Sequence, residues 1–211
     1  LAWTRYARQG SRAAYGISLA CMALGGLAKP MIVSLPLLLL VLDFWPLRRG
    51  LRTAEKLPFA ALALASSLVT LGAQVNAIQP SVALVDRISN ALVGLATQLG
   101  LALWPVGLAV LYPHPGSWPL ATVAVATAVV AALVAFSLAL LRRAPCVAAG
   151  IAFFALGLAP TLGFVPVGFQ STADRYSYLP QIGVWLALVF AIMAGAFAWV
   201  WLSDLPLEMG Q

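Results

Sequence analysis

The residues of this chain best suited to chemistry are a few isolated cations with carboxylates and phenols beside them. Near the end of the chain, Ala173-Asp174-Arg175-Tyr176-Ser177-Tyr178-Leu179-Pro180 sets an acid, a guanidinium and two phenols side by side. Arginine suits a phosphate because its planar fork bonds two oxygens at once. Arg175 is therefore the first candidate to hold an anion, such as the phosphate of a lipid carrier, with Lys29 and Arg87 as further contacts. Asp174 is the weak candidate for a catalytic carboxylate. It can orient Arg175, contact an acceptor or act as general base, but a carboxylate held by an arginine makes a poor base. Tyr176 and Tyr178 can stack on a sugar ring or line a lipid tail, and equally suit a headgroup-level aromatic belt. Ion pairing is the competing account of the cations, since Arg87 has Asp86 as neighbour and Arg175 has Asp174. His114, the one histidine, sits between two prolines and reads as a solvated turn residue. Asp43 reads as a partner for Arg48 or Arg49, without chemistry. One histidine and two distant cysteines, Cys21 and Cys146, make no metal cluster, and the cysteines read as small core residues rather than a disulfide.

The elements that must position these residues are apolar helices. The chain is 63% hydrophobic and 9% charged, with a mean hydropathy of +0.98. A soluble domain is about 25% charged, so water could not solvate this surface and the apolar residues must face lipid as well as each other. The expected fold is all-α: a polytopic membrane helix bundle of about five to seven transmembrane or re-entrant helices, over a single partial transmembrane domain spanning 1–211. The apolar runs predict helices at 13–28, 31–45, 57–76, 86–111, 118–141, 145–162 and 178–202, with an irregular loop at 163–177. The first two runs are too short for ordinary spans of about 20 residues. Broken at Lys29-Pro30, they predict a hairpin whose two ends emerge on one side. The opening, Leu1 with Trp3, Arg5, Arg8 and Arg12 but no cleavage site, reads as a cut inside a longer protein.

A net charge of +6 does not point to nucleic acid, because the cations sit at the ends of apolar runs as topology signals do. Arg5/Arg8/Arg12, Arg48/Arg49/Arg52/Lys56 and Arg142/Arg143 together hold most of the basic residues and belong on the cytoplasmic side. The segment from Leu84 to Tyr112 must then begin and end outside, either along the interface or dipping in and turning back at Trp104-Pro105. If 91–111 spans instead, Arg142 and Arg143 fall outside, against the rule. In the first arrangement Lys29, Arg87 and Arg175 all lie on the outer face.

Four stretches, in this order, resemble one family. They are Ala28-Lys-Pro-Met-Ile-Val-Ser-Leu-Pro36 with Leu42-Asp-Phe-Trp-Pro-Leu-Arg48; Arg87-Ile-Ser-Asn-Ala-Leu; Leu103-Trp-Pro-Val-Gly-Leu-Ala-Val-Leu-Tyr-Pro-His-Pro115; and Gly168-Phe-Gln-Ser-Thr-Ala-Asp-Arg-Tyr-Ser-Tyr-Leu-Pro180. They look like the membrane domain of bacterial tetratricopeptide-repeat proteins related to the transmembrane and tetratricopeptide-repeat O-mannosyltransferases. The resemblance covers most of the chain, from about Tyr15 to about Trp199. It implies a GT-C-like glycosyltransferase fold in the bacterial cytoplasmic (inner) membrane, using a polyprenyl-phosphate-linked sugar as donor and a protein or glycan as acceptor. It also implies that the catalytic carboxylate lies upstream of residue 1 and the repeats lie downstream. The alternatives are a transporter or flippase of a lipid-linked substrate, for which the sequence shows no inverted repeat, and a membrane anchor for a repeat scaffold.

Overall fold

The computed structural model describes residues 1–28, 30–50, 52–74, 82–164 and 170–203. Runs of Ala and Leu wind into helix wherever Pro and Gly do not stop them. A short amphipathic helix that the sequence did not suggest, α1 (Ala2–Gln9), comes first and ends at Gly10 in the left-handed region, φ 69°. Next come α2 (Arg12–Ala28), a 3₁₀ turn (Pro30–Ser34) and α3 (Leu35–Phe44). These make the expected hairpin with both ends at one level. Tyr15 at the foot of α2 donates its hydroxyl to the Glu55 carbonyl (2.9 Å), and the Trp3 indole donates to Asp43 near the end of α3 (3.0 Å).

That level is closed by a buried charged cluster. The Asp43 carboxylate is fully buried and accepts from the Lys56 ammonium, itself 3% exposed. Arg49 lies 3.7 Å away and forks onto Glu55, which also takes Arg52. Trp3, Tyr6, Tyr15 and Phe59 stack around it, with Lys56 4.9 Å from the Trp3 ring centroid. Two cations enclosed by carboxylates and aromatic faces are a low-dielectric solution to burying charge. The partner of Asp43 is thus chiefly Lys56, with Arg49 second. Arg48 instead projects into the open from a backbone at φ 50°.

From this cluster α4 (Leu57–Ala73), with Pro58 in its first turn where no N–H is needed, runs to the opposite end. Helix α5 (Leu84–Leu103) stops eight residues short of the expected 111. The reason is Pro105, which lacks an N–H and forces its predecessor out of helix: Trp104 takes φ −140°, ψ 89°. The chain then doubles back in an extended strap. Tyr112–Pro113 (β1) pairs antiparallel with Gln170–Thr172 (β2), a small ribbon where only irregular loop was expected. The Trp118 indole returns to donate to Asn90 near the start of α5 (3.2 Å). The segment from α5 to Trp118 therefore begins and ends at the same end of the bundle.

Helix α6 (Leu120–Leu140) leads to Arg142–Arg143, and α7 (Pro145–Leu158), extended by a 3₁₀ turn at Ala159–Thr161, leads back. Helix α8 (Gln181–Ser203) returns antiparallel to α7. Gly150 and Gly183 let these two backbones meet; a Cβ on Gly150 would lie 2.4 Å from the Gly183 carbonyl. The turn at Pro30–Ser34 packs on the turn at Ala159–Thr161, and α3 then runs down α7. The hairpin tip thus shares an end with the 159–181 region, while all three basic clusters share the other.

The chain is all-α apart from the ribbon. Among the described residues three helical stretches are long and apolar enough to cross a membrane: Thr53–Ala73, Leu120–Leu140 and Gln181–Trp201. That is fewer than the five to seven expected, because α2, α3 and α7 are apolar but shorter and α5 carries polar residues along its buried side. The most apolar stretch, Leu120–Leu140, has only 6% of its length buried inside the bundle. An apolar helix left so uncovered needs lipid around it, which makes this a membrane protein. Cys21 and Cys146 are free thiols, Cys21 on an exposed helix face.

Candidate functional site

The end opposite the basic clusters holds most of the chemistry read from the sequence. Two buried amides on α5 build its floor. Asn90 and Gln98 stand two turns apart and so on the same face of the helix. The Asn90 amide donates to the carbonyls of Leu162 and Ser171 (3.1 Å each), while its oxygen accepts from Trp118. Gly163, at φ 84°, lets the backbone pass where any Cβ would lie 2.6 Å from that amide. Gln98, fully buried, donates to Thr172 Oγ1 (3.0 Å). The 170–173 segment is thereby pinned along α5, which delivers Asp174 and Arg175 to the end of that helix.

Asp174 and Arg175 then turn to different partners. Asp174 accepts the Ala109 backbone N–H through Oδ2 (2.6 Å) and the Tyr112 hydroxyl on the same oxygen (3.3 Å). It fastens the strap to the loop, and its Oδ1 is buried without a hydrogen bond. The Tyr112 phenol is pushed above its ordinary value of 10.0 by burial first, then by bonding and proximity to the Asp174 carboxylate. Arg175 meets only neutral groups: Gln170 Oε1 at 3.5 Å, the Tyr176 hydroxyl at 3.3 Å and the Tyr176 ring, 5.1 Å to its centroid. Gln170 in turn donates to the Tyr176 hydroxyl (2.7 Å). The Arg175 guanidinium is left exposed, with its charge uncompensated by any carboxylate among the described residues.

Between the strap, the end of α5 and the start of α8 lies a cavity of about 470 Å³, within the range of small-molecule sites. Leu101, Leu108, Val110 and Trp185 give it apolar walls, and Asp174, Arg175, Tyr178 and Gln181 supply polar groups. A greasy slot with a guanidinium at its side can hold an amphiphile: tail against the strap and α8, anionic head on Arg175.

The sequence-predicted residues divide accordingly. Asp174, Arg175 and Tyr178 line this cavity together, and Tyr176 steadies Arg175 from beside it. Arg87 lies near the other end of α5, about 20 Å along the axis from Leu101 at 1.5 Å per residue, and donates to the Val82 carbonyl (3.0 Å). Lys29 lies outside the described residues. His114 accepts the Gly116 N–H at Nδ1 (3.0 Å) and serves the turn. The sequence reading passed over Asn90, Gln98 and Tyr112, which place the loop. The signal was present, since two amides at an eight-residue spacing inside an apolar run mark a buried polar stripe. Compared with known proteins, the chain matches no described family, no curated protein and no solved structure.

Proposed function

We propose that this chain is part of the membrane domain of a glycosyltransferase that draws its sugar, a hexose such as mannose, from a polyprenyl-phosphate carrier. The acceptor is a protein or glycan on the outer face of a bacterial cytoplasmic membrane. The reading takes the chain as a relative of the tetratricopeptide-repeat O-mannosyltransferases with a GT-C-like fold. The basic clusters face the cytoplasm by the positive-inside rule, so the cavity faces outward. Thr53–Ala73, Leu120–Leu140 and α8 cross the membrane, the shorter α7 crosses between α6 and α8, α2 and α3 form a hairpin, and α5 with its strap is re-entrant.

The observation that carries this reading is Arg175, an exposed guanidinium with no carboxylate among the described residues to neutralise it, at the side of an apolar cavity. Arg175 bonds the donor phosphate, Tyr178 and Trp185 flank the first carrier units, and Tyr176 holds the guanidinium in place. Asp174 shapes the strap; with Oδ2 committed to Ala109 and Tyr112 it is a positioning residue. The base that accepts the acceptor's proton is then supplied from outside this stretch of chain. The test is sugar transfer from a polyprenyl-phosphate donor by the full-length protein in membranes. Arg175→Ala removes hydrogen bonds to a charged group worth about 1.5–3 kcal/mol each, so transfer should fall by at least about tenfold. Equal transfer by both proteins makes Arg175 structural, and no transfer by either turns the site toward transport.

A further inference from the structure

Among the described residues, the basic end of the protein holds more positive charge than its acids neutralise. Asp43 and Glu55 are the acids found there among the described residues, and both are taken: Asp43 by Lys56 and Arg49, Glu55 by Arg49 and Arg52. Arg5, Arg8, Arg12, Arg48, Arg142 and Arg143 are exposed and meet no carboxylate among the described residues. Topology signals require only that cations lie on this side, not that they be gathered on a fixed framework. Here they are fixed.

Helix α1 is clamped by its Trp3 onto Asp43 and by Tyr6 stacked 4.9 Å from Tyr15, so the opposite face of α1 carries Arg5 and Arg8, three residues apart, outward. Arg12 follows at the start of α2. Arg48 is thrust outward by a turn in which it adopts φ 50°, a conformation costly for a residue with a Cβ.

We propose that this end is a binding site for anionic phospholipid, with Arg5, Arg8, Arg12 and Arg48 holding the phosphodiester headgroups of the adjoining leaflet. Guanidinium forks match phosphate oxygens in pairs, and α1, its aromatic face docked on the bundle, turns Arg5 and Arg8 outward. The site is separate from the cavity at the other end and does not depend on the sugar-transfer reading.

The test uses the full chain purified in neutral detergent. Native mass spectrometry counts bound phosphatidylglycerol against bound phosphatidylcholine, at low and high salt. Each surface cation contributes about fivefold to attraction for anionic lipid. Substituting Arg5→Gln, Arg8→Gln and Arg12→Gln together should therefore weaken phosphatidylglycerol binding by on the order of a hundredfold. The Arg→Lys triple, which keeps the charge but not the fork, should bind more tightly than the Gln triple. Equal retention of the two lipids by wild type overturns the proposal. So does a Gln triple that binds like wild type. Tighter capture of a single-stranded oligonucleotide than of phosphatidylglycerol also overturns it.

Discussion

Replacing Asp43 by alanine should be among the most damaging single changes to this protein. Its carboxylate is fully buried, and among the described residues it is the acid that pairs directly with the Lys56 ammonium, whose side chain is 4% exposed. Without Asp43, that ammonium keeps the Arg52 carbonyl (2.9 Å) and the face of Trp3, but no carboxylate bonded to it, since Glu55 is held by Arg49 and Arg52. The Trp3 indole loses its acceptor as well. Removing one partner of a buried pair costs about 3–5 kcal/mol. The reverse change, Lys56→Met, leaves Asp43 with the Trp3 N–H at 3.0 Å and Arg49 at 3.7 Å, so it should cost less, about 1–3 kcal/mol. Removing both charges, Asp43→Leu with Lys56→Met, should restore stability to within about 1–2 kcal/mol of wild type. The assay is the unfolding free energy in detergent across the four proteins. The reasoning is refuted if Asp43→Ala costs less than about 1 kcal/mol, or if Lys56→Met costs more than Asp43→Ala.

Asn90→Leu removes three hydrogen bonds at about 1 kcal/mol each. The 162–172 region should then be cut by protease far faster than in wild type, while unchanged cleavage would mean that Asn90 does not pin the loop. Gly150→Ala pushes a methyl group against the Gly183 carbonyl at 2.4 Å, so α7 and α8 must part at a cost of about 1–3 kcal/mol; an unchanged unfolding midpoint would contradict that close approach. The Tyr112 phenol titrates above 10.0 in the folded protein, so its share of stability is fully present at neutral pH and is lost as pH rises through the raised value. Tyr112→Phe should remove a late-titrating component from the phenolate absorbance; an unchanged titration curve would contradict the burial of this phenol beside Asp174.

The fold was legible where composition decides it. Apolar runs bounded by Pro and Arg placed α2, α3, α4, α6, α7 and α8 to within a few residues, because helix is the form in which lipid-exposed backbone satisfies itself in short segments. Helix α5 was over-extended because the apolar run continues to Leu111 beyond the Trp104-Pro105 break, where the helix in fact ends. Helix α1 was missed for the opposite reason: it is polar overall and gains its helical form from Trp3 and Tyr6 docking onto residues 40 positions or so away. In the site, the types and nearness of Asp174, Arg175 and the tyrosines were plain in the sequence. Their partners were not. Adjacent charges suggested a pair, whereas tertiary contacts from Ala109 and Tyr112 draw Asp174 away and leave Arg175 to neutral groups.

The measurement that bears most directly on the proposed function is binding of a polyprenyl phosphate, compared with the uncharged polyprenol, to the purified full chain as wild type and as Arg175→Gln. If Arg175 holds the carrier phosphate, wild type binds the phosphate at least about tenfold more tightly than the alcohol, and Arg175→Gln brings the two together while leaving the alcohol's affinity unchanged. Equal affinity for phosphate and alcohol in wild type, or a preference that survives Arg175→Gln, would contradict the account.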